Sequence, residues 1–249
     1  MTVQMFSKSF VALALAGVVS PALAASPRVI QAPLQTFYVP NGFDDNDNIE
    51  IVAHGEFPNS CYRVGKAEAR IVPETNTVEV SVSALQYDGE ICAQVVTPYI
   101  KPISLGLMVK GNYSIKAKQA PAVQKNFAVS ARQTESPDDF IYAPVESAAL
   151  VTRFESGQQY VNLKGRYPQT FVGCAVMKEV AIQNAPSDVL VVQPVMDFVQ
   201  NDDPRCGLRQ TDEFDLYYPL ETAFYGEGLL HVRVMNGNSL NSYLNVQPN

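Results

Sequence analysis

The chain has no Trp, two His and four Cys in 249 residues, and 17% of it is charged. Each shortage excludes something. No Gly-x-Ser-x-Gly elbow and no Gly-rich phosphate loop occurs, so neither an α/β-hydrolase site nor a nucleotide cradle is written here. The Cys are far apart and neither His lies near a CxxC, so zinc is the weaker rival reading of these Cys. His54 and His231 sit in dissimilar sequence surroundings and suggest no catalytic pair. Each reads as an ordinary strand residue, with His231 on the face opposite Leu230 and Val232. The acid pairs Asp138-Asp139 and Asp202-Asp203 fall in Pro-bearing stretches and read as solvated turns. No catalytic residue is assigned. Clustered basic residues are also missing, because the densest stretch, Lys116 to Lys125, is diluted by Ala, Pro and Gln. Nucleic acid and anionic lipid are therefore poor partners.

Long apolar runs are absent except at the start. Lys8 precedes an apolar stretch from Phe10 to Val19, and Ala22-Leu23-Ala24 offers small residues at a cut after Ala24. That pattern predicts a secretory signal peptide over residues 1–24. The stretch is too short for a good membrane span, so no transmembrane segment is expected. Losing it removes one Lys and no acid, which moves the net charge from −7 to −8. The expected location is periplasmic or secreted.

Four Cys in an exported chain predict disulfides. Cys61 and Cys92 are 31 positions apart, and Cys174 and Cys206 are 32 apart. Near-equal spans predict Cys61–Cys92 and Cys174–Cys206, one bridge in each of two repeats. Other landmarks recur with the same offset. Ser26-Pro27 returns as Ser136-Pro137, Ala32-Pro33 as Ala143-Pro144, and Gly55-Glu56-Phe57-Pro58 as Gly165-Arg166-Tyr167-Pro168. Each half then closes with a Gly and an alternating strand, which pairs Tyr113 with Leu230. The repeats are placed at 25–134 and 135–249. The polar stretch Thr134-Glu135-Ser136-Pro137 predicts separable halves.

The apolar period is two rather than 3.6. Val78, Val80, Val82 and Ala84 alternate with Glu79, Ser81 and Ser83, and Ile49, Ile51 and Ala53 alternate with Glu50 and Val52. Asn41-Gly42 and Asn236-Gly237 mark turns. Val145 to Glu155 has helical propensity, but its repeat partner contains Val39-Pro40-Asn41-Gly42, so it is expected to be extended. The fold class predicted is all-β: a tandem duplication of two immunoglobulin-like β-sandwich domains, each with one disulfide. The buried Trp of the immunoglobulin family itself is missing.

One run occurs in a single copy. Asp44-Asp45-Asn46-Asp47-Asn48 resembles the calcium motif of cadherin linkers over these five residues. The resemblance implies oxygen ligands for Ca²⁺ from Asp44, Asn46 and Asn48, with Asp45 and Asp47 beside them. The competing reading is an Asx-rich turn entering the strand at Ile49. No other cofactor is expected. The function read from all this is an exported non-enzymatic binding or structural module of the cell envelope. Its expected partner is another protein or an envelope component. The alternatives are an inhibitor or accessory factor of an exported enzyme and, third, an enzyme with a site between the two domains.

Overall fold

The computed structural model describes residues 26–88, 91–169, 173–184, 188–207 and 211–248. The leader at 1–24 lies outside the described residues. Among the described residues, regular structure is strand apart from a 3-10 turn at Pro73–Thr75 and one helical turn, α1, at Pro204–Gly207.

The first half contains β1 (Arg28–Gln31), β2 (Thr36–Tyr38), β3 (Ile49–Phe57), β4 (Tyr62–Val72), β5 (Thr77–Gln86), β6 (Thr97–Gly106), β7 (Gly111–Ala117) and β8 (Gln124–Val129). The second contains β9 (Val145–Thr152), β10 (Gln159–Arg166), β11 (Cys174–Asn184), β12 (Val189–Val199), β13 (Glu213–Pro219), β14 (Gly226–Val234) and β15 (Asn238–Val246). The segment Val145 to Glu155, expected to be extended, is strand β9 as far as Thr152 and passes into a turn at 154–156. The Gly-led strands β7 and β14 do not close their halves, because β8 and β15 follow and pair with them.

Strand order is the same in both halves. A small sheet β2-β3-β6 answers to β9-β10-β13, and a large sheet β4-β5-β7-β8 answers to β11-β12-β14-β15. Even the unusual pairing repeats: β5 runs parallel to β7, and β12 runs parallel to β14. Immunoglobulin sheets are antiparallel. At the far end of β5 the strand β1 pairs antiparallel, and Tyr142 bridges Val195 at the equivalent place. The Ala32 N–H donates to the Val82 carbonyl and the Ala143 N–H to the Pro194 carbonyl, which fixes the correspondence. With it, Leu230 matches Ile115 rather than Tyr113, and Tyr113 matches Gly228. The slip is two residues, which keeps the face and changes the partner.

Both disulfides form as spaced. Cys61 and Cys92 lie 5.3 Å apart at Cα, and Cys174 and Cys206 lie 5.9 Å apart. Each bridge ties the start of an edge strand region to the connection that crosses from the large sheet to the small one.

The four sheets stack in one pile. The first core lies between large and small sheets, where Ile49, Ile51 and Ala53 of β3 meet Val78, Val80 and Val82 of β5. The second is built likewise from Val161 and Leu163 of β10 against Leu190, Val192, Leu230 and Val232. A third, smaller apolar layer joins the halves: Tyr38 and Val52 pack on Val189, Val191 and Leu229, flanked by Ile100 and Tyr243. Strands β3 and β14 are therefore buried on both faces. The corresponding outer faces at the two ends of the pile carry different residues. By strand register, Val52 and Ile100 correspond to Asn162 and Asp215, while Val191, Leu229 and Tyr243 correspond to Glu79, Ser114 and Asn126.

Candidate functional site

Among the described residues, six of the eight buried polar or charged side chains, Asp44, Asn46, Asp47, His54, His231 and Arg233, lie at or beside this junction. The acidic run leaves β2, turns, and enters β3 there. Its turn is local and Asx-driven: the Asn46 N–H donates to Asp44 Oδ1 at 3.1 Å, and the Asp44 N–H donates to Asp47 Oδ2 at 3.0 Å. The rest of the run reaches outward. The Asn46 amide donates to the carbonyls of Thr134 and Ser136 at 3.0 and 3.2 Å. Asp45 accepts from the Arg132 N–H, and Asn48 accepts from the Ser104 hydroxyl at 2.6 Å. The stretch Thr134-Glu135-Ser136-Pro137, near which the halves are expected to be separable, is thus held by the first half.

Asp47 makes the cross-half contact. Its Oδ2 lies 3.4 Å from Arg233 Nη1, and both side chains are 7% exposed. Arg233 also donates to the Gly42 carbonyl at 2.6 Å and to the Tyr142 hydroxyl at 3.4 Å, and the Phe43 ring lies under it at 4.3 Å. The guanidinium, with its planar fork of donors, suits such a buried multi-acceptor site. Burial raises the Tyr142 hydroxyl pKa, against the pull of Arg233. Burial, with help from Asp47, also raises the Asp138 carboxyl.

Next to this pair lies a second network. Glu50 Oε1 of the first half accepts from the Ser239 hydroxyl at 2.5 Å and the Asn241 amide at 2.7 Å in the second. His231 Nδ1 meets Asn241 Oδ1 at 2.9 Å. Burial pulls the His231 pKa down to about 4, the Asn241 bond opposes this, and Arg233 adds to it. At the opposite flank, His54 of the first half stacks on Tyr243 of the second with ring centroids 4.5 Å apart. Burial lowers its pKa too, against Glu227 and Glu56. Sequence placed the two His in unrelated surroundings, and the fold brings both to one contact. His231 does lie opposite Leu230 and Val232, and that opposite face is packed on the other half rather than wet.

The chemistry open to this cluster is narrow. Ser239, His231 and Glu50 are the residue types of a nucleophile triad, in the wrong order. A triad needs imidazole between hydroxyl and carboxylate, whereas here the carboxylate holds the hydroxyl directly. An imidazole with a pKa near 4 is also a weak base at neutral pH. The cavity bounded by Phe43, Asp47, Glu50, Asp138, His231 and Arg233 measures about 20 Å³. That holds a water or two, far short of a substrate pocket of several hundred Å³. A larger hollow of about 440 Å³ opens between Val180, Ile182 and Tyr218 at the edge of the second sandwich. It gathers no set of acid, base and nucleophile.

Among the described residues no three His, Cys, Asp or Glu side chains come together to hold a metal. The calcium reading of Asp44, Asp45, Asn46, Asp47 and Asn48 must compete with the bonds above. A calcium ion would have to take Asp47 from Arg233, while the Asn46 amide nitrogen stays on the carbonyls of Thr134 and Ser136 and its Oδ1 is buried without a hydrogen-bond partner. Thermal melts with excess calcium and with chelator are expected to coincide. A rise in melting temperature with calcium would show instead that the run coordinates the ion.

The missed residues left one readable signal. Positions that are apolar in one repeat and polar in the other, such as Val52 against Asn162, mark the faces that meet.

Comparison with known families finds one match. A family model described as the ORF11 beta-sandwich domain matches residues 51–129, from β3 to the end of β8. This part of the chain is similar to that domain, and its two facing sheets suit the description. No curated protein and no solved structure matches the chain.

Proposed function

We propose that this chain is an exported, non-enzymatic binding or structural module of the cell envelope, with each half immunoglobulin-like in architecture alone. One observation carries the reading. The groups that chemistry would need, both His together with Glu50, Asp47 and Arg233, are spent on fixing one sandwich against the other. What results is a stiff scaffold that presents its connecting loops.

A second reading, an inhibitor or accessory factor of an exported enzyme, is favoured by one feature. The β9–β10 hairpin corresponds to the loop that carries the acidic run in the first half. It ends in Phe154, which is 98% exposed. A large aromatic at the tip of a hairpin is suited to filling a partner's cleft.

Expression of the full chain in a bacterial host tests the export reading. The product is expected outside the cytoplasm and cut after Ala24, with a non-reducing peptide map showing Cys61–Cys92 and Cys174–Cys206. It is also expected to sediment with isolated envelopes. An uncut cytoplasmic chain with free thiols would overturn export, and an exported chain that never sediments would overturn envelope binding.

A further inference from the structure

The junction places the only two imidazoles of the chain between the two sandwiches, one contributed by each half. His231 is 1% exposed and faces Phe43 and Glu50 across the contact. His54 is also 1% exposed and lies between Tyr38 of its own half and Tyr243 of the other. In both rings Nε2 is buried without a hydrogen-bond partner. A neutral imidazole tolerates an idle ring nitrogen. An imidazolium does not, because its second N–H then becomes a buried donor without an acceptor.

We propose that the contact between the halves is an acid-released latch, in which protonation of His54 and His231 parts the two sandwiches while each stays folded.

The direction of release follows from where the rings point. Both lie on the outer faces of their sheets, on the side away from their own cores. Water reaches them once the halves separate, with no strand leaving either core. The layer that must be given up is small, centred on Tyr38, Val52, Val189, Val191 and Leu229. Each core is far larger, and each half keeps its own disulfide.

Both rings have charged neighbours. Around His231 they are Glu50 on β3, Arg233 on β14, and Asp47 and Asp138 at the cavity wall. Arg233 repels an imidazolium. Glu50 would attract one, at 3.8 Å from Nδ1, but that oxygen is already taken by Ser239 and Asn241. Around His54 the groups are Tyr38, Tyr243, Glu56 and Glu227. Both glutamates favour the cation, yet burial outweighs them. The ion pair Lys125–Asp188 also spans the halves.

A base whose pKa is lowered in the closed form stabilises that form fully above its open-form pKa. The stabilisation is then lost as pH falls toward the closed-form value. For His231 the window runs from 6.5 down to about 4. That one ring shifts the closed-to-open equilibrium roughly 20-fold toward open between pH 7 and pH 5, at tenfold per pKa unit. His54 moves it the same way. Carboxylates with ordinary values contribute little above pH 5, and Asp138, raised by burial and by Asp47, takes up its proton more readily in the closed form and so opposes release.

Small-angle X-ray scattering of the oxidised full chain from pH 7 to pH 4 tests this. The radius of gyration is expected to rise below pH 6.5 while the far-ultraviolet circular dichroism stays that of an all-β protein. The imidazole proton resonances should titrate with the same midpoint. The double variant His54→Gln, His231→Gln should stay closed down to pH 5. Should that variant fail to fold at pH 7, the matched midpoints in the parent chain decide alone. The latch is refuted by a constant radius down to pH 4, or by expansion that coincides with loss of strand signal. It is refuted equally by imidazoles that titrate apart from the expansion, or by a folded double variant that opens like its parent.

Discussion

Gly55→Ala is expected to cost about 3 kcal/mol or more of stability, at the top of the range for overpacking. A Cβ at Gly55 would lie 1.9 Å from the Pro33 carbonyl oxygen and 2.8 Å from the Tyr99 ring. Neither neighbour can yield cheaply. The Pro33 oxygen accepts the Tyr99 hydroxyl at 2.6 Å, and Tyr99 is stacked on Phe57. Gly165 repeats the arrangement with the Pro144 oxygen at 2.4 Å and the Phe214 ring at 2.6 Å. Gly165→Ala should therefore be comparably severe. The recurrence of Ala-Pro and of Gly-x-aromatic-Pro in both halves thus has one physical cause: the Pro carbonyl lies where a side chain would be. Urea unfolding of the oxidised variants measures the cost. A Gly55→Ala midpoint indistinguishable from the parent would contradict the close approach.

Arg233→Met should be at least as damaging, at about 3–5 kcal/mol, because it strands Asp47 as a buried charge without its partner. The Gly42 carbonyl and the Tyr142 hydroxyl lose a donor in the same step. Removing both charges is a different case. Arg233→Met with Asp47→Asn should recover part of the loss, since burying two neutral groups avoids the unpaired ion. The cycle is read from urea midpoints of the two single variants and the double. Strict additivity would show that the two side chains do not act as a pair.

Much of the fold was legible in residue order. The equal Cys spans pointed to the two bridges that form, and the period-two runs marked β3 and β5. The repeat correctly overruled the helical propensity of Val145 to Glu155. Two features escaped, each for a physical reason. Period two fixes which face a residue takes but not its place along the strand, so Leu230 was set against Tyr113 instead of Ile115. Polar positions in an alternating strand also read as solvent-facing. Glu50, His231 and Arg233 fit that pattern while lying between two sheets, because the surface they face is another half of the same chain. The acidic run was ambiguous for a related reason: Asp and Asn suit a cation and an Asx turn alike, and only the position of Arg233 and of the 134–136 carbonyls shows which groups it meets.

The small sheet of one sandwich packs against the large sheet of the next, so the contact is head-to-tail and does not close on itself. Repeating the operation would give an open fibre rather than a ring. Arrays of this kind need terminal units with hydrophilic outer surfaces. The pile has them at both ends. On the outward side of β10 and β13, Lys164 pairs with Asp215 at 2.9 Å, where the joined sheet has His54 and Ile100. On the outward side of β5 and β7 stand Glu79 and Ser114, where the joined sheet has Val191 and Leu229. These substitutions cap the array in both directions. A third sandwich stacked in the same way would meet these polar residues in place of the apolar ones of the joint.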